Sequence, residues 1–212
     1  MLIAGSVDLA SVLASLATRR PVFHSEADFQ LALAREIEAA DPDMFVYLET
    51  RPAEGVHLDM ACESHGRYTA IELKYLTRPW SDIVEGQSFH LKVGAVDYGR
   101  YDVVKDIARI EGFVGSRDGS NGAVVVLTND PSYWRSPGRS TAIDSAFRIH
   151  EGAVLEGLRE WGRTPAGKKR RAAIKLDHSY EMRWSEFSEF EGQGRLWQLV
   201  VEVPGPDATV FG

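Results

Sequence analysis

The sequence predicts an α/β protein with a mixed central β-sheet flanked by helices. Three observations carry this. Short runs of β-branched, aromatic and aliphatic residues cluster between positions 44 and 76 and recur at 122–130 and near the C-terminus. Stretches with apolar residues at helical spacing precede and follow that cluster. The resulting order is helix, three strands, helix, strand, helix, strands, which sets helices against a sheet. The 212 residues, 44% of them hydrophobic, suffice for one domain with a real core. We expect a single domain over 1–212: a core at about 25–130 and a C-terminal extension of helix and strand over 131–212.

Val7 to Thr18 reads as a short amphipathic helix with Ser6 as N-cap. A stronger helix follows. Ser25 and Asp28 fit a capping box, Phe29, Leu33 and Ile37 fall on one stripe, and Asp41-Pro42 ends it. Met44–Thr50, Val56–Cys62 and Tyr68–Leu76 read as three strands, with a turn at 51–55 and a tight turn at 63–67. Thr77 to about Gly99 is polar, Gly-punctuated and expected to be irregular. Residues 100–114 form a helix with Val103, Ile107, Ile110 and Val114 on one side. Gly122–Asp130 is the most apolar strand and should be central. Residues 141–161 read as helical with breaks at glycines, and 172–184 and 194–203 as two last strands.

Composition narrows the function. Cys62 is the sole cysteine, which excludes an internal disulfide and a Cys-rich zinc site and is compatible with a reducing cytoplasm. At the N-terminus the positive charges follow the apolar stretch, unlike a signal peptide, and no run reaches the ~18 apolar residues of a membrane span. The expected location is cytoplasmic, away from membranes. The net charge is −7, but it is unevenly spread. Residues 1–130 hold 12 Lys/Arg against 20 Asp/Glu, residues 131–175 hold 10 against 4, and residues 176–212 hold 2 against 7. The basic segment 131–175, densest at Lys168–Arg171, is a place for phosphate contact, although a solvated loop has the same composition. Within it, Tyr133–Arg139 ("YWRSPGR") offers two aromatics and two arginines, suited to base stacking or to packing under a loop. No phosphate-binding glycine loop, zinc-protease helix or G-x-S-x-G elbow occurs.

The chemistry concentrates in Tyr68–Thr77, "YTAIELKYLT", where Glu72 and Lys74 interrupt an apolar strand. Period 2 puts Ala70, Glu72, Lys74 and Leu76 on one face and Ile71, Leu73 and Tyr75 on the other. If His65-Gly66 form a two-residue hairpin loop, paired positions sum to 131 and Asp59 falls opposite Glu72. Two facing carboxylates repel each other, and burial makes that worse. Lys74 offsets part of the charge. A hard divalent cation such as Mg²⁺ does so better, and it brings hydrolytic chemistry with it.

Asp59 followed by Glu72-Leu73-Lys74 on the next strand resembles the PD-(D/E)XK nuclease superfamily. The order of elements over about 25–130 is similar too. Leu58 stands where the family's name has Pro, one of its loosest positions. The resemblance implies a restriction-endonuclease-like fold and a Mg²⁺-dependent (or Mn²⁺-dependent) endonuclease, a hydrolase of phosphodiester bonds that binds nucleic acid, DNA favoured. It implies Asp59 and Glu72 as metal ligands, Lys74 as the residue that activates water, and an acid from the leading helix. Glu26 in the first turn is the favoured acid and Glu36 its rival. Gln30, one turn after Glu26, would face the same region and hold a water or phosphate oxygen. Cleavage of both strands of a duplex would suggest a homodimer, but no dimer surface is legible. The alternatives are an inactive nucleic-acid-binding or interaction module of the same fold, and a mere surface ion pair at Glu72 and Lys74. Lys105 or Arg109 near the phosphates is a further option; a solvated face of ion pairs is the plainer reading of that helix.

Overall fold

A computed structural model describes residues 1–53, 56–138, 142–162, 172–190 and 194–206. Two short strands, β1 (Leu2–Ile3) and β2 (Val7–Asp8), lead into helix α1 (Leu9–Arg19). Its N-cap is Asp8, one of whose carboxylate oxygens accepts from Ser11 N at 3.0 Å, and not Ser6 as expected. Ser6 is drawn away to Asp41, to which its hydroxyl donates at 2.7 Å. Helix α2 (Glu26–Ala40) starts as expected, with Ser25 Oγ accepting from Asp28 N. The capping box is displaced by one residue, because the Asp28 carboxylate accepts from His24 N at 3.0 Å.

Strands β3 (Phe45–Ala53), β4 (Val56–Ser64) and β5 (Arg67–Leu76) form an antiparallel meander. The β4–β5 hairpin has the predicted register, Ser64↔Arg67 through Met60↔Ile71. His65 and Gly66 both have positive φ, 50° and 74°, the geometry a two-residue I′ turn requires. Residues 77–99 are not irregular. They contain a hairpin of β6 (Trp80–Val84) and β7 (Gln87–Leu91), turned at Glu85-Gly86 with φ of 49° and 78°. Helix α3 (Val96–Val114) begins earlier than its apolar spacing suggested. Strand β8 (Ser120–Thr128) then pairs parallel to β5.

The C-terminal part departs further from expectation. Among its described residues, 142–161, the stretch expected to be helical forms no α-helix. Its described residues contain one 3₁₀ turn, Ser145–Phe147, and a strand, β9 (Val154–Arg159). Gly152 and Gly157, with φ of 75° and 62°, take a conformation that a continuous helix excludes. β9 pairs with β10 (Ile174–Glu181). Met182 and Arg183 separate β10 from β11 (Trp184–Phe190), so the expected strand 172–184 is two strands in two sheets. β12 (Gly194–Val203) follows.

The main sheet has six strands in the order β11-β12-β8-β5-β4-β3, mixed because only β5 and β8 run parallel. β8 is interior, as its run of apolar residues predicted. One face packs on α1 and α2 through Leu13, Phe29, Leu33, Ile37, Ile71 and Leu73. The other packs on α3 and the β9–β10 hairpin through Ala70, Val104, Ile107, Val124 and Val126. Glu72 and Lys74 share the parity of Ala70 and so face α3. Among the described residues no helix is long and apolar enough to cross a membrane.

Candidate functional site

The β4–β5 ladder ends at Met60↔Ile71, one row before Asp59 and Glu72 would pair. Beyond it β5 keeps its parallel bonds to β8, while its other edge loses β4. Side chains take over there. Asp59 Oδ2 accepts from Leu73 N at 2.7 Å, and Glu26 Oε2 accepts from Tyr75 N at 2.8 Å. Two successive outward amides of β5 are thus satisfied by carboxylates instead of a strand. The strain of the parting sits next door. Glu49, on β3, holds a left-handed φ of 50°, a conformation uncommon outside glycine.

Gln30 braces this opening. Its Nε2 donates to Asp59 O at 2.5 Å and to Glu49 Oε1 at 3.0 Å. Its amide nitrogen thereby holds β4 beside the opening. Glu36, the rival acid, pairs with Arg19 at 2.7 Å and accepts from Ser15 Oγ, on the α1–α2 contact and away from β5. Glu26 is the leading-helix acid that reaches the strand.

Glu72 is wholly buried, which removes the surface-ion-pair reading. Nor do Glu72 and Lys74 pair with each other. Each is met by a residue of α3. Arg109 Nη1 donates to Glu72 Oε1 at 2.6 Å and to His57 O at 3.2 Å. Lys74 Nζ lies 2.7 Å from Asp106 Oδ2 and 4.0 Å from Asp59 Oδ2. Arg109 closes the chain of charges by meeting Asp106 Oδ1 at 3.0 Å. Asp106 itself is buried, and sequence reasoning missed it by placing this helix's charges in solvent. A signal was available: Asp106 and Arg109 flank Ile107 and Ile110 on a helix that covers the sheet, so part of the charged set had to turn inward.

The cluster holds four carboxylates, Glu26, Asp59, Glu72 and Asp106, against two cations, Lys74 and Arg109. Burial, reinforced by Asp106 and Asp59, pushes the Glu72 carboxyl up to about 8, with Arg109 pulling the other way. Burial likewise raises Asp106, against the pull of Lys74, and Glu26, also against Lys74. Burial tends to lower Lys74, but the carboxylates of Asp106 and Glu26 outweigh it and keep the ammonium charged.

Glu72 Oε2 is buried without a hydrogen-bond partner. An orphaned carboxylate oxygen within an acid-rich cluster suits a hard, oxygen-preferring cation. As the side chains stand, no three acidic, His or Cys groups among the described residues converge to hold a metal. The cations of α3 and β5 fill that role instead. Asp59 and Glu72 supply oxygen donors, and one oxygen of each is already engaged, by Leu73 N and Arg109.

Arg139 and Lys168–Arg171, the dense part of the expected phosphate-contact segment, lie outside the described residues. No protein family, curated protein or solved structure matches the chain.

Proposed function

We propose that the chain is a metal-dependent nuclease of the PD-(D/E)XK superfamily with a restriction-endonuclease-like fold, hydrolysing phosphodiester bonds in nucleic acid, DNA before RNA. One observation carries this reading. A strand that is otherwise core presents a wholly buried Glu72 with a free oxygen and a Lys74 beside it, and Asp59 from the neighbouring strand comes within 4.0 Å of that lysine. Such a charge cluster is costly to bury and is characteristic of catalytic sites. Asp59 and Glu72 would hold Mg²⁺ or Mn²⁺. A bound divalent ion supplies charge neutralisation, a polarised phosphoryl oxygen and a more acidic water. Lys74, held by Asp106, orients the attacking water or offsets charge that develops on the phosphate. Glu26 keeps β5 at its place through Tyr75 N.

One observation favours a second reading, an inactive nucleic-acid-binding module of the same fold. Glu72 and Lys74 already have partners in Arg109 and Asp106, so the cluster is partly neutral without a metal. Cleavage assays separate the two. Wild type, Asp59→Ala and Lys74→Ala are assayed on plasmid, linear, single-stranded and branched DNA and on RNA, with Mg²⁺, Mn²⁺ or EDTA. Metal-dependent cleavage by wild type that both variants lose supports the nuclease. A folded wild type that binds nucleic acid but cleaves nothing supports the module.

A further inference from the structure

The loop after β8 carries the aromatic and basic motif read from the sequence, and the structure divides it. Tyr133 is buried, with Arg100 over its ring at 5.8 Å, and is part of the core. Trp134 is only half-buried. It stacks on Trp197 of β12, ring centroids 5.2 Å apart and planes within 15° of parallel. Trp184 backs Trp134 at 6.3 Å. The stacked pair lines a pocket of about 230 Å³ whose other walls include Trp80, fixed edge-on by Phe190 at 5.1 Å.

Three arginines, Arg78, Arg135 and Arg195, line the same pocket, and no carboxylate does among the described residues. Arg195 is engaged by Glu189 at 2.8 Å and Glu186 at 3.5 Å. Arg78 and Arg135 are exposed and have no ion pair among the described residues. Arg78 is nevertheless well placed. The Asn129 side chain accepts from its N at 2.8 Å and donates to its O at 3.2 Å, tying the exits of β5 and β8 together.

The Trp134–Trp197 stack and the carboxylate cluster lie on the α3 side of the sheet, while Trp80 and Phe190 reach the pocket from the α1–α2 side. Trp197 pairs with Thr128, which pairs with Leu76, while Lys74 pairs with Val126 one step back. By strand spacing, Trp197 and Lys74 are on the order of 12 Å apart, two strands across and two residues along. That site is also the carboxyl end of the β5–β8 pair, the one parallel pair among the described residues, and α/β sheets commonly hold ligands at such ends.

We infer that this pocket binds an unpaired nucleobase of a single-stranded nucleic acid, with Arg78 and Arg135 on the flanking phosphates. Its position beside the cluster has meaning through the nuclease reading; the binding itself requires no metal. An aromatic face accepts any base, and unpaired guanidinium groups accept any phosphate, so the pocket selects strandedness and not sequence. A base inside a duplex has both faces stacked and cannot enter. The substrate class implied is single-stranded, frayed or branched nucleic acid, in preference to continuous duplex.

The test is fluorescence anisotropy of short labelled oligothymidylate, oligouridylate and a blunt-ended, loop-free GC-rich duplex with the full chain in EDTA, together with quenching of tryptophan emission. Wild type should bind both single strands, with quenching, and bind the duplex at least tenfold more weakly. Trp134→Leu should weaken single-strand binding about tenfold or more. Because that variant also loses packing, Arg78→Ala/Arg135→Ala provides a second probe at exposed positions. It should weaken binding at low salt and flatten the salt dependence by about 0.7 for each phosphate no longer neutralised. Equal binding by the arginine variant and wild type, or absence of tryptophan quenching, overturns the inference. Asp59→Asn separates it from the nuclease reading: that variant should lose cleavage and keep oligonucleotide binding. Cleavage by wild type without base binding would sink this inference alone, and base binding without cleavage would sink the nuclease alone.

Discussion

The Arg109 guanidinium lies 2.6 Å from Glu72 Oε1 and holds a carboxylate that has no exposure to solvent. A buried charge deprived of its partner costs on the order of 3–5 kcal/mol. Burial already pushes the Glu72 carboxyl up to about 8, so it can take up a proton when the guanidinium is lost. Arg109→Met should therefore destabilise the protein by less than that cost near pH 7 and by progressively more as pH rises above 8, measured by urea unfolding in metal-free buffer. If Arg109 holds the place of a cation, Mg²⁺ should raise the unfolding midpoint of Arg109→Met more than that of wild type. An unchanged midpoint in the variant, with and without Mg²⁺, would remove this pair from both the stability and the metal arguments.

On the proposed nuclease reading, Asp106 is the residue that aims Lys74. The Asp106→Asn change keeps the shape and a hydrogen-bond acceptor but removes the charge next to Nζ at 2.7 Å. A positioning role predicts a fall in kcat of about 10²-fold, since misplacement of a reacting group by about 1 Å costs that much. KM should change little, because Asp106 is buried and is not placed to touch substrate. A parallel rise in KM with unchanged kcat would assign Asp106 to binding.

The hairpin register from Ser64↔Arg67 to Met60↔Ile71 is legible in the sequence because it depends on local chemistry, although the Asp59–Glu72 row expected beyond it does not form. His65-Gly66 adopts positive φ at both positions, and strand parity does the rest. The capping of α2 by Ser25 is legible for the same reason. The partners of Glu72 and Lys74 are not. They arrive from α3, which is 37 residues away from Glu72 in the case of Arg109, and helical spacing alone leaves both a wet and a buried role open for Asp106. The β6–β7 hairpin is hidden by its exposure: Ser81, Asp82, Ile83, Gln87, Ser88 and His90 all face solvent, so the alternation that marks a half-buried strand is weak. The glycines at 152 and 157 are visible in the sequence but fit breaks in a helix equally well, and only the fold shows that they shape a strand and its approach.

Cys62 reports on the core beneath the site. It is wholly buried on β4, and burial pushes its thiol up to about 12. At pH 8 the thiolate fraction is then on the order of 10⁻⁴. Native protein should leave a thiol reagent such as Ellman's disulfide essentially unreacted over hours, and guanidinium chloride should release one full equivalent. Rapid modification of native protein would show that β4 opens readily at its centre.

Strong acid should loosen the start of α2. Burial acts to raise Asp28, but the Arg20 guanidinium, the His24 amide and further charge interaction with Arg20 outweigh it and hold the carboxyl below its ordinary range. A depressed folded-state pKa adds stability above the unfolded value of about 3.9, and that stability is lost as pH falls through the folded value. The Arg20–Asp28 pair, 2.9 Å apart, is partly exposed, so its share is at most about 1 kcal/mol. Arg20→Gln should lower stability by that amount at pH 7 and by nothing once the pH is well below the folded value. Urea unfolding of both proteins from pH 7 to pH 2 reads this as two curves that converge at the acid end. Curves that stay parallel throughout would assign the loss to Arg20's packing over Phe23, where its guanidinium sits 5.3 Å from the ring centre, and not to the charge on Asp28.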